Sequence, residues 1–194
     1  MVLYFKHSLR KCYRVWEPFS RLSNPWCSIR RLVLVRGRRH WSTPFLPETR
    51  SIGPQLRASV KASLGRDFAD DSLQVYIAYD RADQVLGRAV VSDEIGKYRP
   101  ITFMVGLDGD FAVTGAAILV CRESRGGEVR RGRFLRQYRG KSANDPIRIN
   151  RDIINITGAT MSVRALNFGV RKVILLTEGL YGGSAENPVH PPPP

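Results

Sequence analysis

The sequence predicts an α/β domain of the α+β kind: an antiparallel sheet built from hairpins and covered by helices, a long one among them. Three observations carry this. Leu73 to Tyr79 and Val85 to Val91 are alternating, apolar-rich runs joined by Arg81-Ala82-Asp83-Gln84. Ile101 to Leu107 and Phe111 to Cys121 form a second such pair across Asp108-Gly109-Asp110. Successive hairpins make neighbouring strands antiparallel, and a sheet of this type buries a face under helices. The cover is supplied from Val163 onward, where Leu166, Val170, Val173, Ile174 and Leu180 recur at helical spacing and predict one buried stripe running to about Tyr181.

At 194 residues the chain has room for one substantial domain. Its net charge of +14 is unevenly spread: residues 1–46 hold ten Lys or Arg against Glu17 alone. Those residues include Trp16, Trp26 and Trp41 but no sustained helical or strand period, and they read as a basic, poorly ordered leader. Because most of the excess charge belongs to the leader, a basic nucleic-acid-binding module is the weakest reading of the whole, and no nucleic-acid partner is expected.

The domain proper is expected over residues 47–183. Ser51-Ile52-Gly53-Pro54 is a helix start with proline at an early position, Leu56, Val60 and Leu64 follow at four-residue spacing, and Gly65 is a stop. Four strands follow. Between the second and third, Asp93-Glu94-Ile95-Gly96-Lys97-Tyr98 reads as a polar loop with no chemistry assigned. From Arg125 to Lys141 run seven basic residues, read as the wet face of a short helix with Phe134, Leu135 and Tyr138 turned inward. One or two of these cations could hold a phosphate or attract an acidic partner. Asn144-Asp145-Pro146 breaks the chain, and residues 184–194, ending in four prolines, form an extended tail.

Several chemistries lack support. Cys12, Cys27 and Cys121, with His7, His40 and His190, have no metal-ligand or haem spacing, and Cys121 at the end of an apolar run is expected to be a buried small hydrophobe. No run approaches the ~20 apolar residues of a membrane span. The apolar core Leu32-Val33-Leu34-Val35 is too short for a signal peptide. No Gly-x-Gly-x-x-Gly follows a strand, so NAD(P)H binding has no sequence support.

The chemistry concentrates at Thr157-Gly158-Ala159-Thr160-Met161-Ser162, a small-residue, hydroxyl-rich turn opening onto the long helix. Free backbone N–H groups and the positive end of the helix dipole meet there, and both favour a phosphate. Taken alone, the same residues could do no more than start a helix, with Thr157 as its N-cap.

Thr-Gly-Ala-Thr followed by a small hydroxyl residue resembles the Ser/Thr-Gly-Ala-Thr flavinylation motif of FMN-binding domain proteins, the family that includes subunits of the sodium-translocating NADH:quinone reductase and Rnf complexes. Upstream, Cys121 to Val129 and then Phe134-Leu135-Arg136-Gln137-Tyr138-Arg139-Gly140-Lys141 resemble a second segment of that family, in which a glutamate and a glycine turn precede a helix ending in a Gln-aromatic-x-Gly-Lys signature. The resemblance spans roughly residues 48–182. It implies FMN as cofactor and an electron-transfer role, with a non-covalent FMN-dependent reductase as the alternative. It also implies phosphoester attachment at Thr160 by a separate FAD:protein FMN transferase. By the same resemblance Thr157, Gly158, Ala159 and Ser162 shape the phosphate site, while Glu123, Gly126 and Gly127 lie close to the flavin. A redox partner and the extracytoplasmic face of a membrane are implied as well, although neither a signal peptide nor a membrane span is visible. One position departs from the pattern: Ile154 stands where the family commonly has an acidic residue, with Asp152 two residues earlier.

Overall fold

The computed structural model describes residues 45–79, 84–123 and 127–183. Five strands, β1 (Phe45–Ser51), β2 (Ser72–Tyr79), β3 (Val85–Ile95), β4 (Pro100–Leu107) and β5 (Val113–Cys121), form one sheet in sequential order. Every neighbouring pair is antiparallel. Helix α1 (Pro54–Leu64) follows β1, a short α2 (Gly132–Leu135) lies between two 3₁₀ turns, Gly127–Arg130 and Arg136–Tyr138, and α3 (Thr160–Tyr181) closes the described domain. The α+β expectation therefore holds, with the long helix where its apolar stripe placed it.

Local chemistry sets the helix limits. Pro54 is the first residue of α1 behind Gly53 as N-cap, and Gly65 ends it at φ 69° in the left-handed region, where a side chain would be strained. The core joins Val75, Ile77, Val90, Phe103 and Val105 of the sheet to Val163, Leu166, Val170, Val173 and Ile174 of α3. Gly169 makes the close approach possible: a Cβ there would stand 2.3 Å from Phe103 Cζ and 2.7 Å from Glu94 Cγ.

Three expectations need correction. A fifth strand, β1, precedes the four anticipated; Pro47 hid it, but β1 is an edge strand, where proline costs no ladder bond. The boundary placed between residues 46 and 47 thus falls inside a strand. Second, Asp93 to Ile95 is not loop but the end of β3, paired with β4 from Thr102 back to Pro100, and the turn is confined to Gly96–Arg99, closed by the Gly96 N–H donating to Arg99 O at 3.0 Å. Glu94 is accordingly 7% exposed, although its polarity suggested a loop. Third, the basic segment is three short helical pieces rather than one helix, although Phe134, Leu135 and Tyr138 are buried as expected. Cys121 is half-buried. Most of the first hairpin turn, residues 81–83, lies outside the described residues, as do the leader through residue 44 and the tail from 184.

Candidate functional site

α3 begins at Thr160, and the turn before it fixes how. The Ala159 N–H donates to Ile156 O at 3.0 Å, and Gly158 sits in that turn at φ 84°, a conformation that glycine adopts without strain. Building the turn at 156–159 moves the helix start two residues beyond Thr157. The N-cap is Ala159, at φ −122° and ψ 20°, with no side-chain cap bond. Thr157 is therefore not the cap; it lies exposed at the corner of the turn.

What results is a bare helix N-terminus. The first intrahelical bond is Val163 N–H to Ala159 O at 3.0 Å, so the N–H groups of Thr160, Met161 and Ser162 have no acceptor within the helix. No acidic residue in the first turn offsets the dipole. The Thr160 hydroxyl is half-buried, and the Asn155 Nδ2 donates to its Oγ at 3.0 Å. The other end of that amide, Asn155 Oδ1, is buried without a partner. Around the hydroxyl, Ala159 and Ser162 are buried at 4% exposure each, and there is open space where a Gly158 side chain would be.

The upstream signature is folded against this turn. Gln137 Oε1 accepts the Ile154 N–H at 2.7 Å, and the Tyr138 hydroxyl donates to Asn167 Oδ1 of α3 at 2.6 Å in a fully buried contact. Lys141 bridges Asp152 at 3.0 Å and Asp145 at 3.3 Å. Asp152 also accepts the N–H groups of Ile147 and Arg148, at 3.1 and 2.8 Å. Burial opposes its charge, but those N–H groups and Lys141 outweigh it and hold the carboxyl below its usual range. For Asp145 the Ser142 N–H is the main cause of a similar depression. Lys141, one of the cations considered for a phosphate, is thus engaged by two carboxylates. Asp152 is equally engaged and cannot stand in for the acid missing at Ile154, whose side chain is 76% exposed.

Glu123 has a different engagement. Its Oε1 accepts the N–H groups of Tyr98 and Arg99 at 2.7 and 2.8 Å, which braces the β3–β4 turn and lowers its pKa. Gly127 opens the first 3₁₀ turn with open space at its Cβ position, and Gly126 lies outside the described residues.

A separate cleft of about 450 Å³ lies between the 66–70 segment, the ends of β3 and β4, and Phe168 and Lys172 of α3. Lys172 is 1% exposed and pairs with Asp70 and Glu94, each at 2.6 Å, while Arg66 reaches Glu94 at 3.3 Å. Burial pushes the Glu94 carboxyl up against the pull of Lys172 and Arg66. The lining carries Asp67, Asp70, Asp93 and Glu94 against Arg66 and Lys172, a balance unsuited to a phosphate. No signal in the sequence marked Lys172, because a lysine on a helix is ordinarily solvated. Among the described residues no cluster of His, Cys, Asp or Glu could hold a metal ion, and no helix is long and apolar enough to cross a membrane.

Residues 96–175, which contain both the Gln137–Lys141 signature and the Thr157–Ser162 turn, match the family model of the FMN-binding domain. The chain contains an FMN-binding domain. Its cofactor is FMN. Among solved structures, it is similar to NqrC of Shewanella oneidensis, at 14% identity and TM-score 0.47 over 66% of this chain and 77% of that one. It is also similar to the corresponding Na⁺-translocating NADH-quinone reductase protein of Parabacteroides distasonis, at 13% identity and TM-score 0.47 over 73% and 80%. Likeness at that distance carries no further argument. No curated protein matches the chain.

The residues present fit FMN at its phosphate end. An uncapped helix N-terminus, a hydroxyl held by Asn155, an orphaned amide oxygen and the space above Gly158 all converge on one turn of the FMN-binding domain.

Proposed function

We propose that this FMN-binding domain is an electron carrier whose flavin is joined to Thr160 through a phosphoester bond. The observation that carries the reading is the bare N-terminus of α3, where the Thr160 hydroxyl stands beside N–H groups without intrahelical acceptors. FMN, when bound, supplies the redox chemistry. The chain's own contribution is placement: Asn155 orients the Thr160 hydroxyl, the first-turn N–H groups receive the phosphate oxygens, and Gly158 leaves room for the group to approach. Thr157, Ala159 and Ser162 shape the phosphate site, and Glu123, Gly126 and Gly127 lie close to the flavin; these assignments rest on the family resemblance.

Attachment needs a separate FAD:protein FMN transferase. The bond formed is Thr160 Oγ to the FMN phosphorus, the bond broken is the pyrophosphate of FAD, AMP leaves, and the hydroxyl proton passes to the transferase. Domain limits are taken as β1 to the end of α3. A redox partner at the extracytoplasmic face of a membrane completes the reading, again on resemblance. A non-covalent FMN-dependent reductase is the competing function, and steady NADH oxidation by the isolated flavoprotein would favour it. Co-expression with the transferase tests the proposal: the carrier reading expects a yellow protein whose intact mass, measured under denaturing conditions, is greater by one FMN. Flavin that is released on denaturation, with no mass increment, would refute covalent attachment while leaving the FMN-binding domain intact.

A further inference from the structure

At one end of the sheet the β3–β4 turn carries two large apolar side chains in the open. Tyr98 is 76% exposed and Ile95 68%. Single exposed apolar residues are ordinary, but two on one tight turn make a patch. The β2–β3 ladder stops at Val91, so the last four residues of β3 carry the turn about 13 Å beyond it. The turn is also held stiff. Its closing bond runs from the Gly96 N–H to Arg99 O, and Glu123 Oε1 accepts the N–H groups of both Tyr98 and Arg99. Glu123 comes so close that a Cβ on Gly96 would stand 2.9 Å from that oxygen. Ile95 and Tyr98 are thus presented to solvent on a preformed tip.

We propose that this tip, residues 95–99, docks on a lipid bilayer rich in anionic headgroups, with Tyr98 and Ile95 entering the headgroup layer. Charge complementarity supports it. Lys97 and Arg99 flank Tyr98, and both are exposed. Arg122 continues from Cys121, which pairs with Ile101 of β4, and Arg130 reaches the Cys121 carbonyl at 3.4 Å, so two more exposed cations stand at the same end of the sheet. The nearby acids are occupied: Glu94 is buried against Lys172, Glu123 is spent on the backbone of the turn, and Asp93 accepts the Thr102 hydroxyl back along the strand. Lys97 Nζ lies 4.8 Å from the centroid of the Tyr98 ring, which sets an ammonium that stays in water beside a ring that can leave it. An amphipathic aromatic ring among Lys and Arg suits the membrane–water boundary, and the cations suit anionic headgroups. Size separates this from a protein partner. A stable protein interface takes about 800 Å² and 20–30 residues from each side, whereas a five-residue tip is matched to a headgroup boundary entered by only ~5–10 Å. Nothing in this surface depends on where the flavin is attached.

Photo-cross-linking of the full chain to vesicles of phosphatidylglycerol and phosphatidylcholine tests it. Residues 1–46 hold ten basic side chains of their own, so vesicle binding alone decides nothing and the readout has to be local. p-Benzoylphenylalanine takes the place of Tyr98 in one sample and of Asp110 in another; Asp110 is exposed on the β4–β5 turn, at the opposite end of the sheet. On irradiation, position 98 should give at least about ten-fold more lipid adduct than position 110, because only the tip enters the lipid. Adding Lys97→Gln and Arg99→Gln to the position-98 sample should lower its adduct about five-fold or more, the factor expected for even one basic residue at an anionic surface. All these changes are at exposed side chains, and the proteins should melt like the parent. Equal adducts at the two positions would overturn the proposal. So would the absence of adduct at position 98, whether or not the chain sediments with the vesicles, or a Lys97→Gln/Arg99→Gln protein that cross-links undiminished.

Discussion

At the scale of single residues, Thr157 and Thr160 separate cleanly. A threonine serving as N-cap costs about 1 kcal/mol when replaced by alanine, but Thr157 is exposed and caps nothing. Thr157→Ala should therefore change the unfolding free energy by no more than ~0.5 kcal/mol in a denaturant titration. Asn155 is the residue the sequence concealed. Its role is a contact to a hydroxyl five positions on, across a turn whose shape depends on Gly158, and no residue pattern announces that. Asn155→Ala should slow flavin attachment with the transferase while Thr160 remains the only modified residue in peptide maps; attachment at the parental rate would remove Asn155 from the account. Ile154 holds no carboxylate and Asp152 cannot lend one, so Ile154→Asp should raise the modified fraction wherever attachment to the parent is incomplete. The hydroxyl turn itself was legible, because its residue types are rare together. The helix cap was not, because a positive-φ glycine shifted the helix start.

Among the elements, α3 and the strands β2 to β5 were legible from periodicity, and β1 and the end of β3 were not. Pro47 and the acidic pair Asp93-Glu94 argue against strands locally, but an edge position and the buried partner Lys172 override them. The close crossing of α3 over the sheet depends on Gly169. Gly169→Ala would drive a methyl into Phe103 and Glu94 and should destabilise by about 1–3 kcal/mol, read as a lowered denaturant midpoint. Tyr138 ties the 127–138 segment to α3, and Tyr138→Phe leaves the Asn167 oxygen buried and unpaired, at a cost of ~1–3 kcal/mol. The loop from Lys141 to Asp152 imposes a pH dependence. Asp145 and Asp152 have folded pKa values held below their ordinary ones, so their stabilisation is fully present above about pH 4 and is lost as pH falls through the depressed values. Thermal melts should fall along that acid limb, and Asp152→Asn should flatten it while lowering the melting temperature at neutral pH.

For the whole molecule, the functional turn and the second sheet face are separate parts of the design. The Thr157–Ser162 turn opens the helix that packs on the first face, whereas Tyr76, Ala78, Ala89 and Met104 form a second apolar cluster drawn from the strands alone among the described residues. Removing residues 1–44 should leave the FMN site able to take up flavin, seen as a yellow protein, because both site segments lie within the matched residues 96–175. The most direct test of the central claim is the intact mass of the full chain and of Thr160→Ala, each co-expressed with FAD:protein FMN transferase and measured after denaturation. The account predicts an FMN-sized increment on the parent and none on a Thr160→Ala protein that melts like the parent. An undiminished increment on Thr160→Ala would contradict it.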